Sequence, residues 1–411
     1  MNTAEAAGFR RFCLGVGMGL LAGQSVVIIG AGIAGLALAR GLALRGARVS
    51  VLEQAHAIRE VGAGLQIAPN GARVLRALGL GDDLARIGLQ ARAVELLNGH
   101  TGARVVRMDL TRRPQDRDYH FIHRADLIEI LRSGAVAAGA ALHLDAQVTS
   151  VDLAGDQPCL RMASGAVVPA PLLIGADGLH SVLRSALNGK GAPFFTGQIA
   201  WRATIAGDGG PDEVQVHMGA GRHLVTYPLR GGNLRNIVAV EERSAWAAES
   251  WSQRADHSRF KVAFETFAAP ARAWVQQATD AGLWGLFRHA IAENWGKSMP
   301  QGAAVLLGDA AHPTLPFLAQ GASMGLEDGA VLVNFLDSLP MGAALTRYQT
   351  LRAPRTARII AAANANARNY HLSGPARVLA HTGLRSLSAI APNLMLRRFD
   401  WLYGYDANET V

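Results

Sequence analysis

Residues 25–54 read SVVIIGAGIAGLALARGLALRGARVSVLEQ. The apolar run Val26–Ile29 predicts a buried strand, Ile33–Arg45 an Ala- and Leu-rich helix that Gly46 ends, and Arg48–Glu53 a second strand. Between the first strand and the helix stand Gly30, Gly32 and Gly35. Gly30 permits a tight turn, Gly32 lets the backbone approach a pyrophosphate, and Gly35 lets helix and strand close on each other. Ile33 and Ala34 open the helix, where free N–H groups carry partial positive charge suited to phosphate. Glu53, with Gln54 after it, closes the second strand. A carboxylate there holds ribose hydroxyls, which fits NAD or FAD and disfavours the 2′-phosphate of NADP. The competing reading is a glycine-rich turn with no ligand.

The rest of the chain bounds what this nucleotide site can serve. At 411 residues it exceeds a single core, and strands alternating with helical patterns predict an α/β architecture. The net charge of +8 comes almost wholly from arginine, since Lys190, Lys261 and Lys297 are the only lysines. A positive field of this kind steers anionic small molecules inward. No basic run is interleaved with aromatics and no zinc spacing occurs, which argues against nucleic-acid binding. Cys13 and Cys159 are far apart and outside any Cys-x-x-Cys motif. That argues against a disulfide framework or a metal site and fits a reducing, cytoplasmic compartment. Residues 1–23 hold two arginines and the apolar stretch Phe12–Ala22, similar to an export signal. The first strand follows at once, and the stretch is too short to span a bilayer. An extension, disordered or upstream of a true start at Met18, is the expectation.

Past Glu53 a glycine-rich loop leads to a helix from about Pro69, Val94–Leu110 reads as a hairpin, and Arg124–Ala138 as an amphipathic helix. From Ala192 to Glu242 the runs IAWRATI, EVQVHM, HLVTYPL and NIVAVEE alternate between turn signals, predicting an antiparallel sheet with one face covered. Residues 244–295 read as helical. The buried-strand pattern returns as AAVLLGDA at 303–310, and 343–400 is mainly helical. The predicted organisation is a doubly wound, Rossmann-like nucleotide domain (24–190 and 296–340) interrupted by an antiparallel-sheet substrate domain (191–295). The hairpin 94–110 is a candidate to join that sheet, and a helical segment (341–411) follows.

Two further stretches carry chemistry. In LLIGADGLHSVLRSAL, 172–187, a strand ends in Gly-Ala-Asp177-Gly, with Ser181 and Arg184 on the next helix. In VLLGDAAHPTLPFLAQGASMGLEDGAVL, 305–332, a strand ends in Gly308-Asp309 and a helix opens near Gln320–Ala322. A carboxylate at a strand end suits a ribose or ribityl hydroxyl, and a helix N-terminus suits the negative charge of a reduced flavin. Together the three motifs resemble the GxGxxG, DG and GD fingerprints of the single-component FAD-dependent aromatic hydroxylases. The chain is most similar to the salicylate hydroxylase-like branch, which includes hydroxybenzoate and hydroxynicotinate monooxygenases. HRADL at 123–127, AWRA at 200–203, TYPLRGG at 226–232, GDAAHP at 308–313 and FDWLYGYD at 399–406 support the match.

The resemblance implies a tightly held FAD, NADH or NADPH as a transient co-substrate, and dioxygen activated as a flavin C4a-hydroperoxide that hydroxylates a small phenolic or N-heteroaromatic acid. It assigns Gly30, Gly32, Ile33, Ala34, Gly35, Glu53, Gln54, Arg124, Val148, Asp309, Gly321 and Ala322 to FAD. It sets Gln66 near the isoalloxazine and Asp177 with Arg184 in the motif that serves both cofactors. No integral membrane segment is expected, and a homodimer is compatible with the resemblance. On the substrate side, alternation along His223-Leu-Val-Thr-Tyr227 sets His223, Val225 and Tyr227 on one strand face, the two polar groups roughly 13 Å apart. They are the candidate catalytic pair; the competing reading is a buried His and Tyr satisfied by backbone carbonyls. His312 reads as structural. Arg202 and Arg222 are candidates to receive a carboxylate, surface roles being the alternative. The loop TLPFLA at 314–319 is apolar where relatives acting on hydroxylated acids carry Gln, His or Tyr. That favours an alternative: hydroxylation or epoxidation of a polyketide, isoprenoid or quinone. A halogenase is disfavoured by the lack of a Trp-x-Trp-x-x-Pro motif and of a lysine in any flavin motif, and a non-catalytic redox sensor is disfavoured by three intact motifs.

Overall fold

The computed structural model describes residues 19–58, 64–244, 253–254 and 257–409. Two sheets organise them. The first has six strands in the order Gly296–Met299, Gly302–Leu306, Leu172–Gly175, Ser25–Ile29, Arg48–Leu52, Ala141–His143. All neighbours are parallel except the first pair, an antiparallel hairpin at the edge. The central strands are continuous Val/Ile/Leu runs, as burial on both faces requires. The opening stretch forms the predicted unit, with its helix at Ile33–Ala43. Gly30 has φ +101°, and a Cβ there would stand 2.5 Å from the Ala176 carbonyl oxygen; at Gly35 it would stand 2.1 Å from the Gly30 carbonyl oxygen. Both positions therefore require glycine.

The second sheet has eight strands, ordered Gln253–Arg254, Ala281–Arg288, Phe194–Ala206, Leu234–Glu242, Arg222–Leu229, Glu213–Gly219, Ala93–Asn98, Arg104–Asp109. The 93–109 hairpin thus joins this sheet, through a parallel pairing with Glu213–Gly219; the other pairs are antiparallel. One face packs Trp201, Leu224, Ile237 and Ala239 against Phe260, Phe264 and Trp274 of the crossing helices. The opposite face turns toward the six-stranded sheet and is covered too, where the alternation predicted one covered face.

Residues 281–288, AGLWGLFR, form a strand in place of the expected helix. Leu and Ala favour helix locally, but the free edge of the neighbouring strand Phe194–Ala206 offers seven paired positions, and that pairing overrides propensity. Of the expected extension, residues 1–18 lie outside the described set. Leu21 is buried and the Leu20 N–H donates to the Asp337 carbonyl at 3.1 Å, so residues 19–23 pack on the Gly321–Ser338 helix. The chain ends in helices, chiefly Met341–Tyr370 and Gly374–Ile390. Among the described residues no helix is long and apolar enough to cross a membrane.

Candidate active site

A cavity of ≈ 360 Å³ opens between the two sheets. Its first wall comes from the nucleotide motifs: Gly32, Ile33 and Ala34 at one helix start, and Gly321, Ala322 and Gly325 at another. No side chain caps either helix, so both present free N–H groups to the same space. A Cβ at Gly32 would meet nothing within 4 Å, which leaves an open cradle against the backbone. Asp309, exposed, and Arg124, half-buried at the start of the Arg124–Ala137 helix, line the cavity between these ends. Two uncapped helix N-termini, an accessible carboxylate and a guanidinium have the chemistry to fit a flavin dinucleotide, since each helix start suits negative charge.

Other expected residues lie behind this wall. Gly30 and Gly35 shape it from below. The Glu53 carboxylate accepts the Ala31 and Ala55 N–H groups, each at 2.9 Å, which fixes its position at the strand end while leaving lone pairs for hydroxyls. Gln54 is exposed beyond it. Val148 is buried at the start of Val148–Asp152, in a separate three-stranded sheet, and does not line the cavity. Asp177 accepts the Val182 N–H at 2.8 Å. Arg184 donates to the carbonyls of Ala310 and Ala311, both 3.1 Å, and Ala290, 2.6 Å. The second motif thus clamps the loop of the third.

That loop is held from its other side by a buried ionic network. Asp328 accepts the Gly308 N–H at 3.0 Å, His312 Nε2 at 2.5 Å and Arg352 Nε at 2.7 Å. Burial would raise its carboxyl, but His312 and Arg352 override this and hold it down to about 2. Glu327 pairs with Arg352 and Arg355 and accepts from Asn70 Nδ2 at 2.7 Å. His312 therefore sits in the scaffold, as read. Asp328 and Arg352 were not identified from the sequence; their signal is a charge on a helix face that is otherwise largely uncharged.

The second wall is the eight-stranded sheet. His223, Val225 and Tyr227 all line the cavity, as the strand alternation predicts. Tyr227, buried, has its phenol pushed well up by burial. Gln66 lines the same space and accepts the Tyr119 hydroxyl at 2.6 Å. His223 is not satisfied by a carbonyl: its Nδ1 lies 2.7 Å from His371 Nε2, and His371 Nδ1 lies 2.7 Å from Glu242 Oε1. Neither partner was foreseen, because they meet His223 from a distant helix end and the next strand. Arg202 lines the cavity with its guanidinium 4.4 Å from the Trp284 ring centre. Arg222 instead donates to the Ala263 carbonyl, outside the cavity. The remaining lining is apolar: Val238, Val240, Trp284 and Leu286 on the sheet, and Leu315, Pro316 and Phe317 on the facing loop.

A dinucleotide-type cradle beside a largely apolar cavity is the arrangement of a flavoenzyme, and comparison with known proteins gives the same class. Residues 24–363 match the family model described as "FAD binding domain", and the chain belongs to that family. It is 37% identical over 366 residues to 3-amino-4-hydroxybenzoate 2-monooxygenase of Streptomyces cremeus, covering 85% of this chain and 89% of that one. It is 31% identical to 3-hydroxybenzoate 6-hydroxylase 1 of Aquipseudomonas alcaligenes, covering 94% and 99%. Among solved structures, a salicylate hydroxylase substrate complex superposes with a TM-score of 0.78 at 23% identity, covering 94% and 96%, a likeness of fold. The protein is an FAD-dependent, NAD(P)H-using monooxygenase of the aromatic hydroxylase class.

Proposed function

We propose that the enzyme hydroxylates a benzoate carrying a ring hydroxyl, alone or beside an amino group, with Arg202 receiving the carboxylate and His223 the phenol. The observation that carries this reading is the pairing, in one apolar cavity, of a cation with a histidine backed by two further proton-transferring groups. FAD, when bound, would supply the acceptor for a hydride from NADH or NADPH and the means of activating dioxygen, one oxygen atom going to the ring and the other to water. The chain's own groups do the rest. His223 Nε2, the nitrogen left when Nδ1 is taken by His371, accepts the phenol proton, and the resulting phenolate enriches the ring toward an electrophilic oxygen. Arg202, steadied over Trp284, fixes the ring's orientation. Val225, Val238, Val240 and Phe317 exclude water, and Tyr227 borders the ring near Gln66. Gly30, Gly32, Ile33, Ala34 and Gly35 hold the pyrophosphate, Glu53 the ribose, Arg124 and Asp309 the middle of the dinucleotide, and Gly321 with Ala322 the flavin. We place the enzyme in the cytoplasm, where its two cysteines stay reduced, and a homodimer is the assembly to test by sedimentation.

A second reading rests on Leu315, Pro316 and Phe317. Their apolar wall favours a larger, less polar substrate such as a polyketide or quinone. One assay separates the two: NADH and NADPH oxidation with peroxide measured in parallel, against 3-amino-4-hydroxybenzoate, 3-hydroxybenzoate, salicylate and 6-hydroxynicotinate. Oxidation stimulated by one of these with low peroxide supports the benzoate. Stimulation by none, followed by turnover of a hydroxynaphthoquinone, replaces it with the second reading. Asp309→Ala should lower flavin content; unchanged flavin would remove Asp309 from the cofactor site.

A further inference from the structure

We infer that His223, His371 and Glu242 form a proton path that carries the substrate's phenol proton from the cavity to the protein surface. The inference rests on the reading above, in which His223 accepts that proton.

The geometry is continuous. His223 is buried and lines the cavity; Glu242, at the end of Leu234–Glu242, has a side chain 55% exposed. Between them His371 presents Nε2 to one and Nδ1 to the other, at 2.7 Å each. An imidazole with both nitrogens so engaged accepts a proton on one side while releasing one on the other. The shift balances. Before it, His223 Nδ1–H donates to His371 Nε2 and His371 Nδ1–H donates to the Glu242 carboxylate. The phenol O–H bond breaks as N–H forms at His223 Nε2, His223 passes its Nδ1 proton to His371 Nε2, and His371 passes its Nδ1 proton to Glu242, which loses it to water. Both imidazoles end neutral, in the opposite tautomer.

The surroundings explain why a relay is needed. Burial holds His223 well below the ordinary histidine range, with His371 adding to the effect. A cationic His223 is therefore costly, and the ring cannot store the proton it accepts. The groups facing the path do not offer it a sink. Phe317 and Tyr370 pack edge-on against His223, at 5.5 and 5.2 Å between ring centres. Arg202 lines the cavity and Arg222 lies near His371, both cationic. Glu242 is the acceptor that remains. His371 also caps the Met341–Tyr370 helix through its backbone N–H. A purely structural staple between helix and sheet is the alternative to be tested.

The test uses oxidised holoenzyme without NAD(P)H, and 4-hydroxy-3-nitrobenzoate as a probe whose phenolate absorbs in the visible. Stopped-flow absorbance follows ionisation of the bound probe, and an indicator dye follows proton release to solvent. In the wild type the two should coincide. His371→Ala and Glu242→Gln should bind the probe with an affinity within about threefold of wild type but slow ionisation and release by tenfold or more. Added imidazole should restore the rate in His371→Ala and not in Glu242→Gln. A structural staple would not give that rescue. If both variants ionise the probe at the wild-type rate while His223→Gln does not, the path is overturned and His223 remains the base. If His223→Gln also ionises the probe normally, the base assignment itself fails. Glu242→Gln, at an exposed position, keeps the test decisive should His371→Ala fold poorly.

Discussion

Replacing Asp328 with Asn probes the scaffold beneath the flavin loop. The carboxylate is fully buried and takes three donors, one of them the Gly308 N–H of the cavity wall. Its displacement from 3.8 to about 2 corresponds to a net preference for the anion of roughly 2 kcal/mol, after burial has been overcome. Asn forfeits that preference. It also turns one amide N–H₂ toward a donor, leaving a buried polar group unpaired at a cost of roughly 1–3 kcal/mol. Arg352 then keeps Glu327 as its one close anion in this network. The sum is a loss of about 3–5 kcal/mol, in the range expected for breaking a buried ion pair. Urea denaturation of the holoenzyme, read by tryptophan fluorescence and by flavin release, should show flavin leaving first, because Gly308 and Asp309 lose their support. The sign of the pH dependence follows from a lowered carboxyl. The stabilisation is present above pH 3.8 and is lost as pH falls through about 2, so the difference between variant and wild type narrows only in strong acid. A variant within about 1 kcal/mol of wild type at pH 7 would refute the reasoning.

Other consequences can be checked directly. Gly35→Ala places a Cβ 2.1 Å from the Gly30 carbonyl oxygen, a backbone atom with no room to move; the purified protein should be colourless or nearly so, by flavin content. Arg202→Gln should raise KM for a carboxylate-bearing aromatic by about tenfold or more with a smaller change in kcat, and equal KM values would remove Arg202 from substrate binding. His217 is buried with neither ring nitrogen hydrogen-bonded, and burial, with Arg235 nearby, lowers it to about 4. The unfolded chain then binds the extra proton between about pH 4 and 6.5, so stability should fall by about 3 kcal/mol as pH drops through that window. His217→Leu should flatten the slope; an unchanged slope in urea titrations would assign it elsewhere.

How much of this was legible depended on whether the signal was local. Ser25–Leu52, the alternation through 194–242 and the hairpin at 93–109 each carry their period within a dozen residues, and their strands formed where read, although both faces of the eight-stranded sheet are covered and not one. Ala281–Arg288 carries no such signal. Its two glycines and lack of β-branched residues leave strand and helix equally open, and only the neighbouring edge decides. The consequence reaches the site, since Trp284 and Leu286 come from this strand and form part of the substrate wall.

The same distinction separates the two shells of chemistry. His223, Tyr227, Gln66 and Asp309 were legible as cavity-lining positions because a strand face or a motif names the direction in which each points. His371 and Asp328 were not, although each completes a group that was. Their partners are 148 and 16 to 24 residues away, and one reaches across from a helix that reads as a tail. What marks such residues in a sequence is charge misplaced on a buried helix face, as with Arg352 one turn from Tyr348 and Thr356 on the stripe that runs from Leu345 to Ile359, or Glu327-Asp328 after Leu326. Burying a charge without partners costs several kcal/mol, so each such residue implies a partner elsewhere in the chain. The sequence states the need for that partner, and the fold supplies which one. Helix 341–370 therefore belongs to the active site in a physical sense. Arg352, inside its first half, steadies the 308–312 loop through Asp328, and the helix ends at His371, which contacts His223.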